Sequence, residues 1–132
     1  MRSLLISTAS IAAQIPIPFA STYSASKRFV DFTMWSLREE LSCYGVDVCS
    51  WQTATVSTKM TSFSRARMAY TPDEYVKQAL SRCTSGANAG AFKHDFGVMT
   101  IQFFKDIIPL ALIIRVVAKF SKKNADKVAA RE

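Results

Sequence analysis

The hydrophobic pattern of the chain changes period several times, and each change marks an element. Leu4-Leu5-Ile6 is an apolar run too short for a signal peptide, and it reads as a short buried strand. From Ser7 to Phe19 the pattern lapses, and Pro16 and Pro18 exclude both helix and central strand from this loop. From Ser21 to about Cys43 the period becomes helical, with Ala25, Phe29, Phe32, Ser36 and Leu37 on one face. Gly45 supplies the stop signal. Val46 to Trp51 then alternates and is rich in strand formers. Strand, loop, long helix and strand in that order predict a β-α-β unit with parallel strands, and so an α/β fold.

Farther along, Thr71-Pro72-Asp73-Glu74 carries a capping threonine, a first-turn proline and a capping-box glutamate. These predict a second helix to about Arg82, before a break at Ser85-Gly86. Phe96 to Phe120 is the most apolar region, but Lys105-Asp106 and Arg115 leave uncharged runs of only nine and eight residues. A spanning helix needs about 20 mostly apolar residues, so none is predicted. With Pro109 as a kink, the region reads as an interfacial helix or a broken hairpin lying in one leaflet, with a buried core helix as the alternative.

Composition narrows the picture. A chain of 132 residues, 49% hydrophobic and 20% charged, is long enough for one domain with a core and too apolar to be disordered. Cys43, Cys49 and Cys83 are an odd number without a C-x-x-C pair, so neither a disulfide framework nor a zinc site is indicated, and reduced cysteines in an intracellular protein are expected. The net charge is +7, and Lys119, Lys122, Lys123, Lys127 and Arg131 crowd the C-terminus directly after the apolar region. That arrangement points to an anionic membrane surface rather than to nucleic acid, for which no motif is present. His94 is the lone histidine, read as structural or as facing an acyl-CoA or lipid headgroup.

The candidate chemistry lies in Tyr23-Ser24-Ala25-Ser26-Lys27, with Ser10 thirteen residues upstream on the loop that leaves the first strand. Tyrosine at i and lysine at i+4 share a helix face, which puts an ammonium within reach of the phenol. A nearby positive charge favours phenolate and brings a tyrosine toward general acid or base work at neutral pH.

Ser10, Tyr23 and Lys27 stand where the short-chain dehydrogenase/reductase family places its catalytic serine, tyrosine and lysine. The stretch from Ser7-Thr8-Ala9-Ser10 through Pro16-Ile17-Pro18 into Tyr23 to Phe32 resembles the branch of very-long-chain 3-oxoacyl-CoA reductases and 17-beta-hydroxysteroid dehydrogenases. Gly45 to Met60 matches that branch's G-I-D-V-x-S-x-x-P-x-x-V-x-T-K-M run without a gap. The resemblance implies the C-terminal half of a Rossmann-type parallel sheet with flanking helices, plus an apolar C-terminal helical segment. Residues 1–95 are then a partial catalytic half-domain, and 96–132 a membrane-associating segment with a basic tail. It also implies NADPH as cofactor, Tyr23 as proton donor to a ketone, Ser10 as its hydrogen-bond partner, and Lys27 on the nicotinamide ribose. Val56 and Thr58 would touch the nicotinamide end. The implied setting is the cytoplasmic face of the endoplasmic reticulum membrane, with a long-chain 3-oxoacyl-CoA or steroid substrate and a homodimer or elongation-complex partners.

Two departures qualify the resemblance. The expected proline of the cofactor loop is Thr53, so that loop is expected to be less preorganised. No glycine-rich strand-to-helix turn, ribose selector or N-N-A-G segment is present, and the family's catalytic asparagine is missing with them. The expectation is therefore a fragment that binds NADPH weakly or not at all, exposes a sheet edge, and acts, if not in catalysis, as a membrane- or partner-binding module.

Overall fold

The computed structural model describes residues 2–63, 65–66, 68–83, 86–88 and 90–129. Its elements are β1 (Ser3–Thr8), a 3-10 turn (Ile11–Gln14), α1 (Ser21–Ser42), β2 (Val46–Trp51), a second 3-10 turn (Lys59–Thr61), α2 (Pro72–Ser81), β3 (Gly86–Asn88), α3 (Phe92–Ile107) and α4 (Leu110–Ala129). The sheet is wholly parallel in the order β1-β2-β3, with Ser3 opposite Val46 and Cys49 opposite Gly86. A parallel return needs a crossover, and α1 provides it, so the predicted β-α-β unit is present. Gly45, at φ 71°, turns the chain out of α1 in a left-handed conformation, and its carbonyl accepts the Ser3 N–H at 3.1 Å at the start of the ladder.

The central strand β2 is buried on both faces, and its alternation divides the molecule. Cys49 and Trp51 join Tyr70, Tyr75, Ala79 and Ala91 in a core beneath α2 and the start of α3. Ser50 faces the other way and bonds Asp31 of α1. α2 begins with the predicted capping box: Glu74 N–H donates to Thr71 Oγ1, while Thr71 N–H and hydroxyl donate to Glu74 Oε2 at 3.1 and 2.9 Å. The backbone and hydroxyl bonds from Thr71 hold the Glu74 carboxyl below its ordinary range. At Gly97, α3 runs close to the first 3-10 turn: a Cβ there would lie 3.2 Å from Ile11 Cδ1.

Four sequence expectations need correction. β1 is an edge strand, with Leu4 and Leu5 exposed rather than buried, because only β2 pairs with it among the described residues. The loop from Ser7 to Phe19 does contain a helical turn, which fits ahead of Pro16 because Ser10 caps it. The helical period of α1 is right but its phase is not: Phe29 and Phe32 are 72% and 56% exposed, while Ser24, Asp31 and Met34 face inward. Hydrogen bonds from Ser50 of β2 and from Gln52 just after it to Asp31 turn the helix that way, and Arg28 lies over the exposed Phe32 ring, 3.9 Å from its centroid. The fourth concerns the Ser85-Gly86 break, where Gly86–Asn88 forms β3 through backbone pairing with Cys49–Trp51; Ser85 itself lies outside the described residues.

At Ile108-Pro109 the C-terminal helical region breaks, where a proline cannot continue the helix. No described helix is long and apolar enough to cross a membrane. Arg131 lies outside the described residues.

Candidate active site

Parallel α/β sheets place ligands at the carboxyl ends of their strands, and Ser10 and the Lys27 ammonium lie at the end of β1. Ser10 follows β1 and is buried; its Oγ accepts the Ala12 N–H at 3.2 Å as the cap of the 3-10 turn. A hydroxyl that accepts one bond still has its own hydrogen to donate. Tyr23 sits in the first turn of α1 with 44% of its surface exposed. One turn later, Lys27 Nζ donates to the Thr8 carbonyl at 3.0 Å, the last residue of β1. The lysine thus ties α1 to the strand end that leads into Ser10, and two of its three donors remain for a ligand. Its hydrogen bond goes to Thr8 and not to the Tyr23 phenol.

Beneath these residues lies a buried polar chain that the sequence reading missed. Gln14 Nε2 donates to Gln52 Oε1 at 2.6 Å, and Gln52 Nε2 donates to Asp31 Oδ2 at 3.0 Å. Ser50 Oγ donates to Asp31 Oδ1 at 2.8 Å, and Arg28 stands 3.7 Å from Oδ2. Asp31 is 1% exposed, and its two oxygens are met by donors from β2 and the residue after it, which is what a buried carboxylate requires. The network joins the Ser10 turn, the end of β2 and α1. A signal for Asp31 was available: it lies four residues beyond Lys27 and eight beyond Tyr23, on the same helical stripe. Gln14 and Gln52 carried none.

The segment after β2 forms the other wall. Thr53 N–H bonds back to the Trp51 carbonyl at 2.9 Å, and the Thr53 carbonyl accepts the Ile11 N–H at 3.1 Å, beside Ser10. Thr53 Oγ1 lies 2.6 Å from Tyr75 Oη. Burial pushes the Tyr75 phenol above its ordinary range, partly offset by that bond. At Thr53 the threonine makes a side-chain bond that a proline could not. Val56 bridges to Tyr70 and its side chain packs on the core. Thr58 opens the second 3-10 turn, its N–H donating to Thr61 Oγ1 at 2.9 Å. His94 is fully buried, so it does not face a headgroup or acyl-CoA.

The parallel sheet with its helical crossover defines an α/β class, and within it the chain belongs to the short chain dehydrogenase family, whose model matches residues 2–69. Among curated relatives, the chain is 35% identical to a 17-beta-hydroxysteroid dehydrogenase type 3 of Mus musculus over 71% of this chain and 31% of that protein. It is 29% identical to a very-long-chain 3-oxoacyl-CoA reductase of Anas platyrhynchos over 92% of this chain and 38% of that protein. The chain spans about a third of the length of these relatives. A short chain dehydrogenase from Burkholderia cenocepacia J2315, solved in complex with NADP, has the same fold, with a TM-score of 0.64 and 23% identity over 86% of this chain and 48% of that one.

Proposed function

We propose that this chain carries the reducing site of an NADPH-dependent ketone reductase whose substrate is a long-chain 3-oxoacyl-CoA. The observation that supports this most is the Lys27–Thr8 bond, which ties the helix carrying Tyr23 and Lys27 to the end of the strand that leads into Ser10. In this reading the exposed Tyr23 phenol gives its proton to the ketone oxygen as negative charge develops there. Ser10 donates its free hydrogen to the same oxygen, and donors aimed at developing charge lower the barrier. NADPH, when bound, supplies the hydride. The residues present fit its nicotinamide end: Lys27 has donors to spare for ribose hydroxyls, and Val56 and Thr58 line the facing segment. They do not fit its phosphate end, since the chain's four glycines, at 45, 86, 90 and 97, make no glycine-rich turn.

The segment from residue 96 to 132 is assigned to the membrane surface, on the cytoplasmic face of the endoplasmic reticulum, with residues 1–95 as the catalytic part. Phe92, Phe96, Met99, Phe103 and Ile107 recur at helical spacing on α3 and are all exposed. An exposed apolar stripe followed by the cations Arg115, Lys119 and Lys122 on α4 suits the interface of an anionic leaflet. A second reading, a 17-ketosteroid as substrate, rests on the likeness to the mouse 17-beta-hydroxysteroid dehydrogenase. The test is NADPH consumption by the native protein from its source cell, with a long-chain 3-oxoacyl-CoA and with a 17-ketosteroid. Faster turnover of the thioester supports the first reading, and faster turnover of the steroid replaces it with the second.

A further inference from the structure

The segment after β2 is held by a residue that the catalytic reading does not use. His94, in the first turn of α3, is 0% exposed. Its Nδ1 accepts the Ala54 N–H at 3.3 Å, and its Nε2 lies 3.2 Å from the Thr55 carbonyl oxygen. A backbone N–H only donates and a carbonyl only accepts, so the two contacts together fix one tautomer: Nδ1 bare, Nε2 protonated, ring neutral. One imidazole therefore reads two consecutive backbone groups of a loop about 40 residues away in sequence. The ring is itself fixed by Tyr70, edge-on at 5.2 Å, and by Tyr75, tilted at 5.4 Å. Tyr75 also bonds Thr53, and Tyr70 N–H and C=O pair with Thr55 and Ser57 at 3.4 and 2.8 Å.

From this geometry we infer that His94 is a positioning residue: it locks the 53–58 segment and, through the Thr53 carbonyl and the Ile11 N–H, sets the place of Ser10. The Thr53–Tyr75 bond and the His94 contacts together fix three consecutive residues, Thr53, Ala54 and Thr55. The lock is also proton-sensitive. A second proton on the ring would occupy Nδ1, turn an acceptor into a donor facing the Ala54 N–H, and break that contact. Titratable and charged groups packed near the ring include Tyr70, Tyr75 from α2, Cys49 of β2 in the same core, and on α3 itself Lys93, which lies over the Tyr70 ring, and Asp95, which pairs with Arg82. The two backbone contacts set the tautomer.

That this segment meets a cofactor rests on the proposed function; the lock itself does not, and the test separates the two. His94 is the only histidine, so its ring nitrogens are read without assignment by nitrogen-15 NMR on the full chain. The expected result is the Nε2–H tautomer; the Nδ1–H tautomer would overturn the inference. In His94→Phe, amide exchange at Ala54 should quicken roughly tenfold or more while the amides in the middle of α1 keep their protection. His94→Asn, whose amide oxygen falls near Nδ1, should restore most of it. Unchanged Ala54 exchange in a folded His94→Phe chain contradicts the lock. If His94→Phe does not fold, the wild-type chain decides alone: the Ala54 amide must shift as the His94 ring takes up its proton, and a fixed Ala54 signal through that titration counts against it. The two claims fail separately: the tautomer and the Ala54 exchange decide the lock, and NADPH consumption by the native protein decides the cofactor reading.

Discussion

The two segments that leave the carboxyl ends of β1 and β2 face each other across the site and are built differently. The first, from Ala9 to Ala20, puts Tyr23 into solvent at the start of α1 and passes through two prolines and Phe19 at φ 66°. The second, from Gln52 to Thr58, is held by side chains from α2 and α3 that are buried in the core. The residue that carries the proposed chemistry thus contributes little burial, whereas the residues that place the opposite wall contribute much. Replacing Tyr23 should change reactivity and leave the fold; replacements in the anchors of the second segment should change the fold.

The largest effect on stability is expected at Tyr75, whose ring packs against Trp51 and His94. Tyr75→Ala should cost about 3–5 kcal/mol in urea unfolding, and a loss below 1 kcal/mol would mean the core does not depend on this anchor. Next comes Asp31→Ala, which leaves the Ser50 hydroxyl and the Gln52 amide without their acceptor and should cost roughly 3 kcal/mol. Wild-type stability in that variant would show that water replaces the carboxylate and that the network is not a joint between the two arms.

Smaller effects sharpen the same contrast at the edge of the core. Thr71→Ala removes the α2 cap and should cost about 1 kcal/mol, measured by thermal melting. Glu74, held below its ordinary range by Thr71, contributes stability that is present above its unfolded-state value and lost as pH falls through the folded one. Acid should therefore fray α2 in the wild type and matter less in Thr71→Ala. For Tyr75 the sign is opposite. Its phenol is raised by burial, so its contribution is full below about pH 10 and is lost as pH climbs through the higher folded value. The wild type should lose melting temperature in alkali more steeply than Tyr75→Phe, and equal slopes would show that Tyr75 is not the responsible group.

Much of the scaffold was legible because local chemistry dictated it. Val46–Trp51 alternates, Gly45 ends the preceding helix in a left-handed turn, and Thr71 with Glu74 forms its box without help from the rest of the chain. What was not legible depended on partners distant in sequence. The phase of α1 is set by Asp31 meeting Ser50 and Gln52, so the apolar stripe of Phe29 and Phe32 pointed to the wrong face. β3 has no β-branched residue and exists through its pairing with β2. At the site, the spacing of Ser10, Tyr23 and Lys27 was readable, but Lys27 bonding Thr8 and Thr53 finding Tyr75 were not. The role of His94 needed Ala54 and Thr55 beside it.

The measurement that bears most directly on the account is the rate of ketone reduction by the native protein beside its Tyr23→Phe variant, with Tyr44→Phe, an exposed tyrosine beyond the far end of α1, as control. The account predicts a fall of roughly a hundredfold or more for Tyr23→Phe, an unchanged melting temperature, and no change in rate for Tyr44→Phe. Equal rates for wild type and Tyr23→Phe would contradict it.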